Sequence, residues 1–198
     1  MVNILIDCSN VDLAIGLSEN HKVIAKREYE AWQQQSELLV AELDKMLKAN
    51  KVTRDQIAAV VVSKGPGSYT GVRIALSVAK VLSFAQNVPL YLASSLEMMK
   101  DGDKPSICLV NARSKRSYIG VYEGEKEIMK DTIMENNDVI AYIHEHPTYS
   151  LSGDLSYLGL EGKTIDVIEN LNHADTERNL CAEKLAAKPV YLKDNYPV

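Results

Sequence analysis

Residues 57–86 read IAAVVVSKGPGSYTGVRIALSVAKVLSFAQ, and the chain is organised around them. Residues 57–62 are an almost unbroken apolar run rich in valine, the pattern of a strand buried on both faces. The run ends at Gly65-Pro66-Gly67. Glycine takes positive φ and proline fixes its own, so these three residues predict a tight loop. Ser68 or Thr70 then caps a helix over about 70–86, a stretch free of proline and, after Gly71, of glycine. That helix is apolar on nearly every side. Ile74, Val78, Val81 and Ala85 make one stripe, and Val72, Ala75, Leu76, Ala79 and Ser83 another. An all-round apolar helix is normally covered all round. The four-residue spacing of Gly71, Ala75, Ala79 and Ser83 adds a ridge of small residues that permits close helix packing. The loop GPGSYTG has no Gly-Lys-Ser/Thr ending and no G-x-S-x-G spacing, which excludes a Walker A loop and a nucleophile elbow. A glycine-rich turn at a helix start remains able to hold an anion, and it equally serves as a plain connection.

Working outward, residues 3–8, 11–17 and 22–29 read as three strands in close succession, an antiparallel meander whose first strand carries Asp7 at its carboxyl end. Residues 33–49 have helical period, with Leu39, Leu43, Met46 and Leu47 on one face. A strand over 88–93 and a short helix in SLEMMK follow. The first half is therefore β-β-β-α-β-α-β-α. The second half starts alike, with strands expected from Ser106, Ser117 and Glu127, a helix over 135–146, a strand over 149–152 and a last helix over 176–187. This order is that of the α/β actin, Hsp70 and sugar-kinase class, the ASKHA or ribonuclease H-like fold, with two βββαβα(βα) halves of which the second is reduced. The halves are expected at 1–103 and 104–198.

The 198 residues carry a formal net charge of -5 and are 46% hydrophobic, an ordinary globular composition. That charge gives the chain as a whole no electrostatic footprint of a nucleic-acid binder. No apolar run reaches the ~20 residues needed to span a bilayer, and the expected location is the cytoplasm. Cys8, Cys108 and Cys181 are widely separated; Cys8 and Cys108 lie in apolar runs and read as buried thiols. The four histidines have no zinc-ligand spacing.

GPGSYTGVRIALSVAKVLSF resembles the signature of the TsaB (YeaZ) family, accessory proteins of bacterial tRNA threonylcarbamoyladenosine synthesis within the glycoprotease-like branch of the actin-like superfamily. ILIDCSN, PLYLASSLEMM, NARSKRSYIGVYE and PVYLKD extend the resemblance along the chain. It marks Gly65, Pro66, Gly67, Ser68, Thr70, Gly71 and Arg73 as the signature loop. The catalytic paralogue TsaD carries a His-x-x-x-His metal pair where this chain has Ser95 and Met99, and neither side chain replaces imidazole on a hard metal. The resemblance therefore implies a non-catalytic scaffold with no cofactor of its own, ATP and metal belonging to partner subunits. Its implied partners are the TsaD subunit, the TsaE ATPase and a second copy of itself, with tRNA reached only through the complex. Its implied role is support of threonylcarbamoylation of adenosine 37 in tRNAs reading ANN codons. The family pairs through its first two helices, which makes Leu39, Leu43, Met46, Val72, Ala75, Leu76 and Ala79 the expected exposed partner-binding residues. Cys8 stands where the family often has Thr, Tyr69 where Phe is common and Ala75 where Gly is frequent. Asp7 and Ser9 are a candidate vestigial phosphate site, with a solvated strand-end carboxylate as the other reading of Asp7. The competing function is an independent enzyme, a small sugar-kinase-like phosphotransferase or a glycoprotease-like hydrolase.

Overall fold

The structure is a computed structural model that describes residues 1–193; Asp194, the last residue of PVYLKD, lies outside them. The meander forms as expected: β1 (Val2–Asp7), β2 (Asp12–Glu19) and β3 (Lys22–Glu30) are antiparallel. Helix α1 (Gln35–Ala49) leads to β4 (Ile57–Ser63), α2 (Tyr69–Gln86) and β5 (Leu90–Ala93). β4 lies parallel to β1, and β5 parallel to β4, which gives the order β3-β2-β1-β4-β5. The second half repeats the plan with β6 (Ser106–Arg113), β7 (Arg116–Glu123), β8 (Lys126–Glu135), α3 (Asn136–Glu145) and β9 (Ser150–Gly153), in the order β8-β7-β6-β9. Two sheets built from the same βββαβ unit, one extended by α2 and β5, are the reduced ASKHA architecture.

The valine run of β4 is buried on both faces because layers cover both sides of the first sheet. Ile4, Ile6, Val60 and Val62 point into a core shared with α1 and α2. Leu5, Ala14, Val61 and Ala93 point the other way, onto Ile168 and Leu171. Those two belong to α4 (Val167–Leu171), a five-residue helix capped by the Asp166 side chain that periodicity does not predict. Gly16 makes room for it: a Cβ there would lie 2.5 Å from Ile168 Cγ2. In the second sheet, Ile107, Leu109, Ile119 and Val121 face Val139 of α3, while Cys108, Val110 and Tyr122 face Leu96 and Met99.

The helix expected over 176–187 does not form. Residues there make two short 3-10 turns, Glu177–Asn179 and Lys184–Ala186. Between them the chain is drawn out along the edge of β5, where Leu180 bridges Tyr91 and the Cys181 N–H donates to the Leu90 carbonyl at 2.8 Å. Helix propensity in this stretch, which holds three Ala, two Glu and two Leu, loses to the free hydrogen-bonding groups of an edge strand. The SLEMMK segment likewise narrows to a 3-10 turn at Glu97–Met99.

Candidate functional site

The signature loop is held from three directions. Lys64 N–H donates to the Ala93 carbonyl at 2.9 Å. Gly65, at φ +98°, donates its N–H to Ser95 Oγ at 3.0 Å and accepts the Ser95 N–H through its carbonyl; the Gly65–Pro66 bond is cis. The Ser68 N–H donates to the Ser9 carbonyl at 2.7 Å, and Ser68 Oγ caps α2 by accepting from Gly71 N–H at 3.2 Å. A Cβ on Gly67 would stand 2.2 Å from the Ser9 carbonyl oxygen, and one on Gly71 1.9 Å from that of Cys8. Two signature glycines thus let the loop and the helix start lie directly on the backbone of the β1–β2 turn. Thr70 and Arg73 point outward. Arg73 hydrogen-bonds the Tyr69 hydroxyl and sits 4.9 Å over its ring, and Tyr69 in turn packs on Tyr191 at 5.0 Å.

Asp7 is not a solvated carboxylate; it is only 6% exposed. Its Oδ1 accepts the Ser9 N–H at 2.9 Å, and Ser9 Oγ donates to the same carboxylate at 3.0 Å. Burial raises its pKa, opposed by the Ser63 hydroxyl and by the Ser9 N–H and hydroxyl. Burial also raises Asp12 and Glu28, each helped by neighbouring carboxylates. Ser9 lines a cleft of about 220 Å³ between the halves, whose other walls include Trp32, Gly67 and Tyr69 on one side and Asn111, Arg113 and Tyr118 on the other. Of the two expected phosphate-site residues, therefore, Ser9 reaches the cleft and Asp7 serves the turn behind it. Among the described residues, no group of three or more His, Cys, Asp or Glu side chains is placed to hold a metal ion. Ser95 and Met99 are both buried, and Ser95 is committed to the signature loop.

The expected exposure of the partner-binding residues is corrected by the structure. Leu39, Leu43, Met46, Val72, Ala75, Leu76 and Ala79 are not exposed: all are buried, and all but Val72 belong to the core between the first sheet and its two helices. The ridge of small residues on α2 packs inward, into the molecule. The exposed stripe is the other one. Val81 is 65% exposed and Phe84 62%, with Ile74 and Val78 half-buried beside them and Val40 of α1 59% exposed. Ser36 of α1 and Tyr69, Arg73, Ile74, Ser77 and Val78 of α2 line an open groove there. A signal for this existed in the sequence: on a helical wheel Arg73, Ser77 and Lys80 fall on the side of Val81 and Phe84, away from Ala75 and Ala79. Phe84 and Val40 were missed altogether. Single residues carry no periodicity that says whether a second helix covers them.

No helix among the described residues is long and apolar enough to cross a membrane.

The family described as "TsaD: tRNA N6-adenosine threonylcarbamoyltransferase" matches residues 28–191. The tRNA threonylcarbamoyladenosine biosynthesis protein TsaB of Bacillus subtilis is 29% identical over 145 residues, covering 71% of this chain and 63% of that protein. The protein of the same name from Buchnera aphidicola subsp. Schizaphis graminum is 29% identical over 128 residues, covering 58% of this chain and 61% of that protein. The chain thus spans about 60% of the length of these curated relatives. YeaZ from Pseudomonas aeruginosa has the same fold, with a TM-score of 0.79 at 18% identity over 96% of this chain and 99% of that one. With the signature loop, the two-sheet architecture and a match over most of its length, the chain belongs to the TsaD family and, within it, to the TsaB (YeaZ) proteins.

Proposed function

We propose that this chain is a non-catalytic scaffold subunit in the threonylcarbamoylation of adenosine 37 of tRNAs reading ANN codons, acting in the cytoplasm. It binds a TsaD-type catalytic subunit and a TsaE-type ATPase, pairs with a second copy of itself when alone, and leaves ATP and metal to those partners. The observation that carries the reading is the uncovered apolar face of α2 with Val40 of α1. Val81 and Phe84 are large apolar side chains more than three-fifths exposed, on a helix whose opposite side is fully occupied by the core. Such a face favours burial against another apolar surface, and the family supplies candidates for it. Asp7 supports the non-catalytic reading: both its oxygens accept from Ser9 and it stands outside the lining of the cleft, whereas a sugar-kinase-like phosphotransferase needs a carboxylate presented to substrate or metal.

The test is light scattering of the chain alone and mixed with the TsaD protein of its organism, each repeated with V81E/F84E. The expected result is a self-associated species alone and a heteromeric complex in the mixture, both lost in the folded variant. A monomer that ignores TsaD overturns the proposal, as does ATP-dependent turnover by the chain alone that D7N abolishes.

A further inference from the structure

The net charge hides a local excess of the opposite sign. The β6–β7 hairpin reads Arg113-Ser114-Lys115-Arg116, with three consecutive non-glycine residues at positive φ and with Arg113 and Arg116 paired across the turn. Lys193 comes up against the same hairpin: its pKa is lowered by burial and then by Arg116 and Arg113. Among the described residues, none of these four cations takes part in an ion pair, although ten ion pairs form elsewhere. Glu135, opposite Arg116 across the β7–β8 ladder and in one pocket with Lys115, is the carboxylate beside them and forms no ion pair with either among the described residues. Four cations against one carboxylate leave an excess of positive charge, and an anion arriving from outside lowers its cost.

The geometry specifies the anion further. Arg113 also lines the cleft between the halves, where Trp32, Tyr69 and Tyr118 are aromatic and Asn111 is an amide. Trp32 is 47% exposed, a large flat apolar surface left in contact with water. The one carboxylate in the lining, Asp154, is engaged by the Ser156 N–H and hydroxyl. A cationic rim beside an exposed aromatic ring is the combination that holds a single-stranded nucleic acid, the cations tracking phosphates and the ring stacking a base. A small phosphorylated metabolite would use the cations and leave Trp32 idle.

We infer that the Arg113–Arg116 hairpin with Lys193 and Trp32 forms a direct contact site for an unpaired segment of RNA. The inference rests on the proposed function for the choice of RNA, and it adds contact by this chain itself to access through the complex. Trp32 is the chain's single tryptophan, so its fluorescence reports the site without a label. The intact chain is titrated with a hairpin oligoribonucleotide bearing an unpaired loop, at several potassium chloride concentrations, as the native protein and as R113Q/R116Q. The expected result is quenching of Trp32, an affinity weakened roughly tenfold or more in the double variant at low salt, and a salt slope reduced by about one for each phosphate that the variant no longer neutralises. Should the double variant fail to fold, K193Q alone carries the same slope measurement. No quenching, or quenching unchanged by R113Q/R116Q, overturns the inference. Reversal of the Trp32 quenching by inorganic tripolyphosphate or magnesium-ATP at concentrations below that at which the RNA half-saturates the quenching overturns it in favour of a small phosphate ligand. A complex that still assembles and modifies tRNA at full rate with R113Q/R116Q, at unchanged RNA affinity, overturns this inference alone; failure of the native chain to assemble overturns the proposed function instead.

Discussion

The N–H of Ser68 donates to the carbonyl of Ser9 at 2.7 Å, so the start of α2 is bonded straight onto the turn that follows β1. The contact closes only because Gly67 and Gly71, on either side of it, carry no side chain. In Gly71→Ala the new Cβ meets the Cys8 carbonyl at 1.9 Å, a backbone group that cannot swing aside. Overpacking of this kind costs ~3 kcal/mol or more. The expected result is a large fall in the urea midpoint at unchanged m. Gly159→Ala is the comparison, because its Cβ meets nothing within 4 Å and only the φ of +69° opposes it, at about 1 kcal/mol. Equal losses in the two variants would mean that the loop does not depend on this close approach.

The thiols separate by environment. Cys8 and Cys108 are fully buried, while Cys181 is partly exposed. Burial, then the neighbouring Asp7 carboxylate, pushes the Cys8 thiol far up, and burial pushes Cys108 up to about 12. The thiolate is the reactive form. A disulfide reagent at mildly alkaline pH is expected to titrate one cysteine in the native protein and three after denaturation. Rapid native reaction of Cys8 would contradict the packing of the β1–β2 turn.

Most of the fold was legible because it rests on local pattern. Alternation gave the meander, the valine run gave β4, and the glycine-proline loop fixed the start of α2 to within a residue. What was illegible depended on neighbours distant in sequence. The helix expected over 176–187 was lost to the edge of β5, nearly a hundred residues away in the chain. α4 is too short to display a period, and its two buried side chains matter only because the first sheet needs a second cover. The exposure expected for the partner-binding residues failed for the same reason. Periodicity divided α2 into two stripes correctly, but which stripe faces the core is decided by where the sheet and α1 lie. The basic hairpin escaped because charge was counted over the whole chain, and Lys193 joins Arg113 and Arg116 only in three dimensions.

The corrected face makes a prediction that distinguishes core from surface on one helix. Val81→Glu and Phe84→Glu alter exposed positions, so each is expected to change stability by no more than about 0.5 kcal/mol. Ala79→Arg puts a guanidinium at a fully buried position of the core, and loss of the folded state is expected because no partner is there to pair it. Thermal unfolding of the three variants and the native chain, at a dilution where light scattering finds the native chain monomeric, checks this. An Ala79→Arg protein as stable as the native one would restore the small-residue ridge as an outer face.

Asp131 of β8 joins the two halves. Ser94 Oγ, just after β5, donates to Asp131 Oδ2 at 2.5 Å, and the Tyr122 hydroxyl of β7 donates to Oδ1. Gly120 leaves the space, since a Cβ there would stand 2.5 Å from Oδ1. Burial raises the Asp131 pKa; the two hydroxyls oppose it, and Glu127 and Glu97 add to it as like charges. The folded chain therefore binds this proton more tightly than the unfolded chain, in the interval from the ordinary carboxylate range up to the raised value. The stability it contributes is complete at the acid end and is lost as pH rises through that interval. Asp131→Asn keeps an acceptor for Tyr122 and a polar partner for Ser94 while removing the charge. The variant is expected to match the native protein at acid pH, to gain on it through that interval and to keep a constant lead above it, read from urea unfolding at a series of pH values. Asp7, Asp12 and Glu28 are raised in both proteins and cancel in the difference. Parallel curves would mean that Asp131 titrates alike in both states, and a variant weaker at neutral pH would mean that the ionised carboxylate, through its two hydroxyl donors, stabilises the junction more than its burial costs.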